Sequence, residues 1–549
     1  MTGAPAPEDA PGPGLDPAAR AAAFCREETA FRLGALVTES SHPKTATLSA
    51  TAERDLAAAV RQLQSVDRDL PPVLARTLAG EPHATLVASL TAALRGGHRV
   101  FVSGCGATGR LALLLESLWR RACADPGRAH LRERLFGFMA GGDYALIKSV
   151  EGFEDHPSFG RRQLADAGPT PDDVLIAVTE GGETPFVIGT AWEALSRGMA
   201  AFFVFNNPAA LLRERVRRSR ELLDDPRVTA IDLCSGPMGV AGSTRMQATT
   251  IELAAVGAAL EDALLALEGR PRVPADERVA AFGAVLDRLE APEAVAGLAR
   301  WADAERRLYE AGSRVRYLAD DLLLDVVTDT TERSPTFSLP PFRPRHDAAS
   351  PRPWANASHP DAPADRGWFP LLGRPVRGIG WTADDYAALG APALAAAPPP
   401  LDTAAIEAFD VSGSATDGPR ERFTVDGRGG RGLAVRYAGD TLLEIDLGAP
   451  PRPGLNLSHH LLAKLAFNTV STATMAAMGR LSGNWMVHVR ASNKKLIDRG
   501  IRLLVDQLGL PYEEAAERLF AAQAEVDAWP AGEEPPSPVA LVIRRSPAA

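Results

Sequence analysis

Five short apolar runs, at residues 99–103, 135–140, 173–178, 201–205 and 227–233, constrain this chain more than any other feature. Each is the length of one strand and apolar enough to be buried on both faces, and every gap leaves room for a helix. Antiparallel neighbours need only a tight turn, whereas parallel ones need a crossover of a dozen or more residues. The spacing therefore predicts a parallel sheet covered by helices on both sides. Ligands in such sheets sit beyond the carboxyl ends of the strands.

Polar residues collect at those ends. The first run leads into Ser103-Gly104-Cys105-Gly106-Ala107-Thr108-Gly109 and then into the helix start Arg110-Leu111. A Gly-rich strand-to-helix turn aims backbone N–H groups and a hydroxyl at an anion; it also occurs as a plain closure of an α/β core. The dinucleotide fingerprint is absent, because no acidic residue ends a second strand. The third run leads into Thr179-Glu180-Gly181-Gly182-Glu183-Thr184-Pro185 and the fourth into Asn206-Asn207-Pro208. The fifth leads through Gly236-Pro237 into Ala241-Gly242-Ser243-Thr244-Arg245-Met246 and a long helix.

Around this sheet the chain reads as four parts. Residues 1–27 carry the composition of a disordered tail. Residues 28–265 hold N-terminal helices, ended by Pro71-Pro72, and then the sheet. A linker at 266–276 precedes a more irregular α/β region over 275–455, with Pro-rich loops at 338–368 and 391–400. Residues 456–549 are helical in pattern. A net charge of −10 argues against nucleic acid or an anionic membrane as partner. No apolar run approaches the ~18 residues of a membrane span. The four cysteines are widely spaced, and with no secretion signal they read as free thiols of a cytoplasmic protein. His346, His359, His459 and His460 lie in or beside loops without metal-ligand spacing, so neither a metal nor a cofactor is expected.

The strand-end sequences, taken together, resemble the sugar isomerase (SIS) domain family. Within it they are most similar to the N-acetylmuramic acid 6-phosphate etherases and their animal relative, the glucokinase regulatory protein. The matching stretches in order are TESSHPKT (38–45), GCGATGRL (104–111), AGGDYALIKSVEGFED (140–155), FNNP (205–208) and AGSTRMQATT (241–250). FNTVSTATM (467–475), GNWMV (483–487) and ASNKKLIDR (491–499) complete the series. The resemblance implies an α/β fold of two flavodoxin-like, parallel-sheet SIS domains, the second degenerate, with a helical C-terminal cap. In that second domain VRYLADDLLLDVVTDTTERSPTF aligns with the phosphate-loop helix but has lost its glycines. One sugar-phosphate site per chain follows, on the first domain, with the second as a fused dimer mate. The assembly is then a monomer with a fused pseudo-dimer, or a homodimer.

The etherase reaction implied by the resemblance removes lactate from carbon 3 of an open-chain sugar phosphate. A base takes the acidic proton on carbon 2 and an acid protonates the departing oxygen, a task suited to two carboxyl groups. The glutamate of the family's S-E-C-P-P-T-F motif corresponds to Glu332 in Thr331-Glu332-Arg333-Ser334-Pro335-Thr336-Phe337, whereas Leu118 falls at that place in the first domain. The second glutamate of E-G-A-E-D corresponds to Glu154. The plain alternative for Glu332 is a helix-end carboxylate held by Arg333 or a backbone cap, and for Glu154 a solvated carboxylate in an acidic turn.

A shared strand-end location assigns sugar-phosphate contacts to Ser103, Gly104, Gly106, Thr108, Gly109, Thr179, Gly181, Gly182, Thr184, Ser243 and Thr244, and the resemblance adds Lys495. Ser243 and Thr244 read equally well as helix caps, and Lys495 as a surface lysine beside Lys494. The family carries serines where this chain has TEGGET, and Glu180 and Glu183 would repel a phosphate unless they point away. The function implied is a lyase acting on the lactyl ether of N-acetylmuramic acid 6-phosphate or a related amino-sugar phosphate. The alternatives are a sugar-phosphate isomerase and a sugar-phosphate sensor that controls a sugar kinase.

Overall fold

The five apolar runs form strands β1 (Val100–Gly104), β2 (Leu135–Met139), β3 (Val174–Val178), β4 (Ala200–Phe205) and β5 (Val228–Asp232). They pair in the order β2-β1-β3-β4-β5, every pair parallel. β1 and β3 are buried at every position, which is why they read as unbroken apolar runs. β5 closes one edge and is half-buried over most of its length. The structure, a computed structural model, describes residues 16–546 except 151, 364–366, 413–419, 451–453, 490, 492 and 531–532.

A second sheet contains β6 (Val315–Ala319), β7 (Ala355–Ser358), β8 (Glu421–Asp426), β9 (Gly432–Tyr437) and β10 (Asp440–Asp446) in the order β10-β9-β8-β6-β7. β6 runs parallel to β7 and β8, but β9 and β10 are antiparallel, so this sheet is mixed. The reason is local. Burial alternates along β8, as on a strand with one solvated face. The β9–β10 turn places Ala438 and Gly439 at φ of +52° and +92°, the geometry of a two-residue hairpin. The parallel part repeats the first sheet: β7-β6-β8 stands as β2-β1-β3 does, and β6 leads into the helix Leu323–Phe337 as β1 leads into the helix Gly106–Ala122.

Three expectations change. Of the expected tail, residues 1–15 lie outside the described residues, but Pro17–Glu27 is a helix that buries Ala21 and Phe24, Phe24 packing on Phe520 at 5.9 Å between ring centroids. Pro71-Pro72 starts a helix, Leu70–Ala79, rather than ending one; proline fits the first turn, where its missing N–H has no partner to lose. The Pro-rich loop contains β7, and residues 391–400 contain the short helix Pro392–Ala396.

Beyond residue 456 the described residues include the helices Leu457–Ala477, Lys494–Leu508, Tyr512–Asp527 and Pro538–Arg545, and the first of these is buried almost all round. It packs on Pro292–Glu310, Leu323–Phe337 and Gln247–Leu267, tying the two sheets together. A second tie is polar. Arg374 donates to both carboxylate oxygens of Asp143, at 2.6 and 3.0 Å, and to Glu116 at 3.0 Å. Arg377 reaches Glu116 from the same loop at 2.6 Å, and all but Arg377 are at least 95% buried.

Candidate active site

The quoted motifs meet one another before they meet any ligand. Thr38 N–H donates to Asn207, and the Asn207 amide returns to the Thr38 hydroxyl at 3.0 Å. Gly242 N–H donates to Thr38 O at 3.1 Å, Ala241 N–H to Asn484 O at 2.9 Å, and the Asn484 amide to the Thr45 hydroxyl at 3.0 Å. Arg499 forks onto Glu39 at 2.6 and 3.0 Å, and Arg502 adds a bond at 2.7 Å. Gly242 is required here: φ is +75°, and a Cβ would lie 2.5 Å from Arg499 Nε. TESSHPKT, FNNP, AGSTRM, GNWMV and ASNKKLIDR thus form one hydrogen-bonded hub.

Above the hub lies a cavity of about 230 Å³ at the carboxyl ends of β1–β3. Among the residues assigned from sequence, Gly106, Glu154, Thr184, Ser243, Thr244, Glu332 and Lys495 line it. Glu332 therefore reaches the first sheet's site from the C-terminal half of the helix Leu323–Phe337. Arg110, from GCGATGRL, holds it in a buried ion pair and also donates to Leu146 O at 3.1 Å and the Thr331 hydroxyl at 2.9 Å. Arg333, which the plain alternative would have made the partner of Glu332, instead pairs with Asp329 at 2.8 Å and Glu305 at 2.9 Å. Lys495 lies 3.8 Å from Glu154 and 3.7 Å from Glu183. Cys105 Sγ donates to Glu154 at 3.3 Å, and burial, then Glu154, push the thiol well above its ordinary range.

The other assigned residues build the walls and do not line the cavity. Ser103 is fully buried and bonded to Thr190 at 2.8 Å. Thr108 Oγ1 accepts from Cys105 N–H at 3.1 Å and donates to Cys105 O at 2.8 Å, which pins the loop rather than facing a ligand. Gly104 and Gly109 are packing glycines; a Cβ on either would meet the Thr108 carbonyl or Met139 at 2.4 Å. Thr179 pairs with Thr184 at 3.0 Å. Gly182 N–H is taken by Thr179 O at 3.1 Å, and Gly181 O accepts from Asn207 at 2.9 Å. The TEGGET loop thus turns its glycines away from the cavity. Of the EGFED and ASNKKLIDR stretches, Glu151 and Ser492 lie outside the described residues.

Four of the basic lining groups, Arg110, Lys148, Arg245 and Arg499, carried no assignment from sequence. With Lys495 they stand against the acidic Glu154, Glu180 and Glu332, so cations outnumber carboxylates in a site large enough for a sugar. Arg245 is anchored by Asp329 at 2.9 Å and by the FNTVSTATM hydroxyls of Ser471 and Thr472. Glu183 turns away to Arg218 at 2.5 Å, but Glu180 stays on the wall. Burial pushes the Glu180 carboxyl up to about 7; Lys495 pulls the other way and Glu332 adds to the rise. The strand-end position of Arg110 and Glu180 was readable, but their partners lie far off in sequence.

A parallel sheet with a polar, cation-rich cavity beyond its strand ends, closed by a glutamate from a second half, defines a SIS-type α/β protein. Residues 83–194 match the family described as the glucokinase regulatory protein N-terminal SIS domain. The N-acetylmuramic acid 6-phosphate etherase of Deinococcus radiodurans is 33% identical, over 42% of this chain and 69% of that protein. The chain belongs to this etherase family of SIS-domain proteins. The enzymes of the same name from Pectobacterium atrosepticum (30% identical; 40% of this chain, 66% of the relative) and Clostridium acetobutylicum (36%; 29% and 47%) are similar too. The chain thus spans about half to two thirds of the length of these two curated relatives. The C-terminal domain of glucosamine-fructose-6-phosphate aminotransferase from Francisella tularensis aligns over 73% of this chain and 96% of its own, at a TM-score of 0.33 and 11% identity.

Proposed function

We propose that the cavity binds a phosphorylated amino sugar and that the protein is a carbon–oxygen lyase, cleaving the lactyl ether of N-acetylmuramic acid 6-phosphate or a close relative. The observation that carries this reading is the convergence of Glu154 and Glu332 on one cavity with Lys495. One carboxylate takes the proton from carbon 2, and the carbon 3–oxygen bond breaks as the other carboxyl group protonates the leaving lactate. Water then adds at carbon 3 to give N-acetylglucosamine 6-phosphate. Lys495 and the basic lining meet the phosphate. The one-chain site draws Glu332 from a second half that serves as a fused, degenerate mate of the first. Incubation with N-acetylmuramic acid 6-phosphate, read by lactate release, tests the proposal; absence of both lactate and any isomer would refute the enzyme reading.

A specific feature favours a second reading, a sensor that reports sugar phosphate to a sugar kinase. Both candidate catalytic carboxylates are engaged by cations, Glu332 by Arg110 and Glu154 by Lys495. Such pairing suits binding as well as turnover. Tight phosphosugar binding without product, and kinase capture that depends on the sugar, would select it.

A further inference from the structure

Among the described residues, the lining carboxylates Glu154 and Glu332 and the neighbouring Glu183 stand in ion pairs, whereas the lining Glu180 does not, although Lys495 acts on it from a longer range. Glu154 has Lys495, Glu183 has Arg218 and Lys495, and Glu332 has Arg110. Glu180 lines the same cavity, is 8% exposed, and forms no ion pair among the described residues. Its polar neighbour is the Thr244 hydroxyl, and its own carbonyl accepts from Asn206 N–H at 2.9 Å. A buried carboxylate with no cation in ion-pair contact is costly as the anion and is relieved by taking up a proton.

The groups facing Glu180 sharpen the point. Lys495, from the helix Lys494–Leu508, is shared with Glu154 and Glu183, and Arg499 on that helix is spent on Glu39. Glu332 faces it from Leu323–Phe337, and Cys105 from the β1 loop. Behind it, on Gln247–Leu267, fully buried Glu252 accepts from the Asn206 side chain at 2.6 Å and is itself pushed well up by burial and by Glu180. An arriving dianion would be drawn to Lys495 and would add negative charge beside a carboxyl already poised near neutrality.

We propose that Glu180 is the proton-carrying group of this site, so that a phosphorylated ligand binds together with one proton taken from solvent onto the Glu180 carboxyl. The proposal deepens the phosphosugar reading of the cavity and rests on it for the ligand class. It accounts for a glutamate in a wall that must accept an anion: as the neutral acid, Glu180 removes the repulsion and offers an O–H donor to the ligand.

The test is calorimetric affinity for N-acetylglucosamine 6-phosphate, and separately for inorganic phosphate, between pH 7.5 and 8.5. Over that window phosphate monoesters are already dianions and histidines neutral. Wild type should lose affinity about tenfold over the unit, as uptake of one proton requires, and Glu180→Gln should show a flat profile. A flat wild-type profile, or an unchanged slope in Glu180→Gln, would overturn the proposal. A slope with inorganic phosphate but no binding of the sugar phosphate would uphold it while refuting the phosphosugar reading. No binding of either would refute both.

Discussion

Arg110 and Glu332, 222 positions apart, form a buried ion pair that joins the helix after β1 to the helix after β6. The arginine is 1% exposed and the glutamate 7%. Arg110 also binds Leu146 O and the Thr331 hydroxyl, so the pair fixes the carboxylate's position within the cavity rather than leaving it on a mobile side chain.

Glu332→Gln should lower lactate release by about 10²–10⁴-fold, the usual cost of losing a general acid or base. The amide still accepts from Arg110, so folding should lose only about 1–3 kcal/mol. Glu332→Ala, which leaves Arg110 without its carboxylate, should cost about 3–5 kcal/mol. Urea midpoints beside a lactate assay separate the two effects; equal turnover in wild type and Glu332→Gln would exclude a proton-transfer role.

Lys495→Met should weaken phosphosugar binding by about tenfold or more, an ion-pair contribution of roughly 1.4 kcal/mol or above. It also leaves Glu154 and Glu183 without their shared cation. Titration calorimetry reads this directly, and unchanged affinity would show that the phosphate lies elsewhere.

Thr108→Val addresses the loop. The hydroxyl accepts from the Cys105 N–H and donates to the Cys105 carbonyl, so its loss should cost about 1 kcal/mol of stability, as helix-cap deletions do. Any fall in affinity should track that loss rather than exceed it. A tenfold larger effect on binding than on stability would mean that Thr108 touches the ligand.

Glu39 gives the pH prediction. Burial alone would raise its carboxyl, but Arg499 and Arg502 outweigh burial and hold it far below the ordinary carboxylate range. The unfolded chain titrates near pH ~4.3. The folded value being depressed, the stabilisation is fully present above that pH and is lost as pH falls toward the folded value. Glu39→Gln should therefore cost roughly 3 kcal/mol at pH 7, and the gap from wild type should narrow below pH 4. A constant gap from pH 7 to pH 3 would contradict the assignment.

Much of the first sheet was legible because fully buried parallel strands leave unbroken apolar runs, and β1 to β4 fall within a residue or so of those runs. β7 escaped because Ala355-Asn356-Ala357-Ser358 carries no β-branched or aromatic residue, and its place is set by pairing with β6. The β9–β10 hairpin escaped because Ala438 stands where Asn or Asp would have signalled the turn. At the site, motif order identified Glu154, Glu332 and Lys495 as candidates but could not separate lining from scaffold. Ser103 and Thr179 look like ligand donors in sequence, and only their bonds to Thr190 and Thr184 show the hydroxyls to be internal. Glu180 read as an obstacle to phosphate, because charge in a sequence is formal and burial decides whether it persists.

The hub beneath the cavity also sets an order of events during synthesis. Thr45 and Asn484, bonded in the finished molecule, are 439 residues apart. At ~5–20 residues per second a ribosome needs roughly 20–90 s to span that interval. Through that time Glu39 awaits Arg499, and the wall that bears Lys495 does not exist. The nascent chain can pair its first five strands early, but the cavity lacks the wall that bears Lys495 and the Arg499–Glu39 pair beneath it until the chain has been made past residue 499.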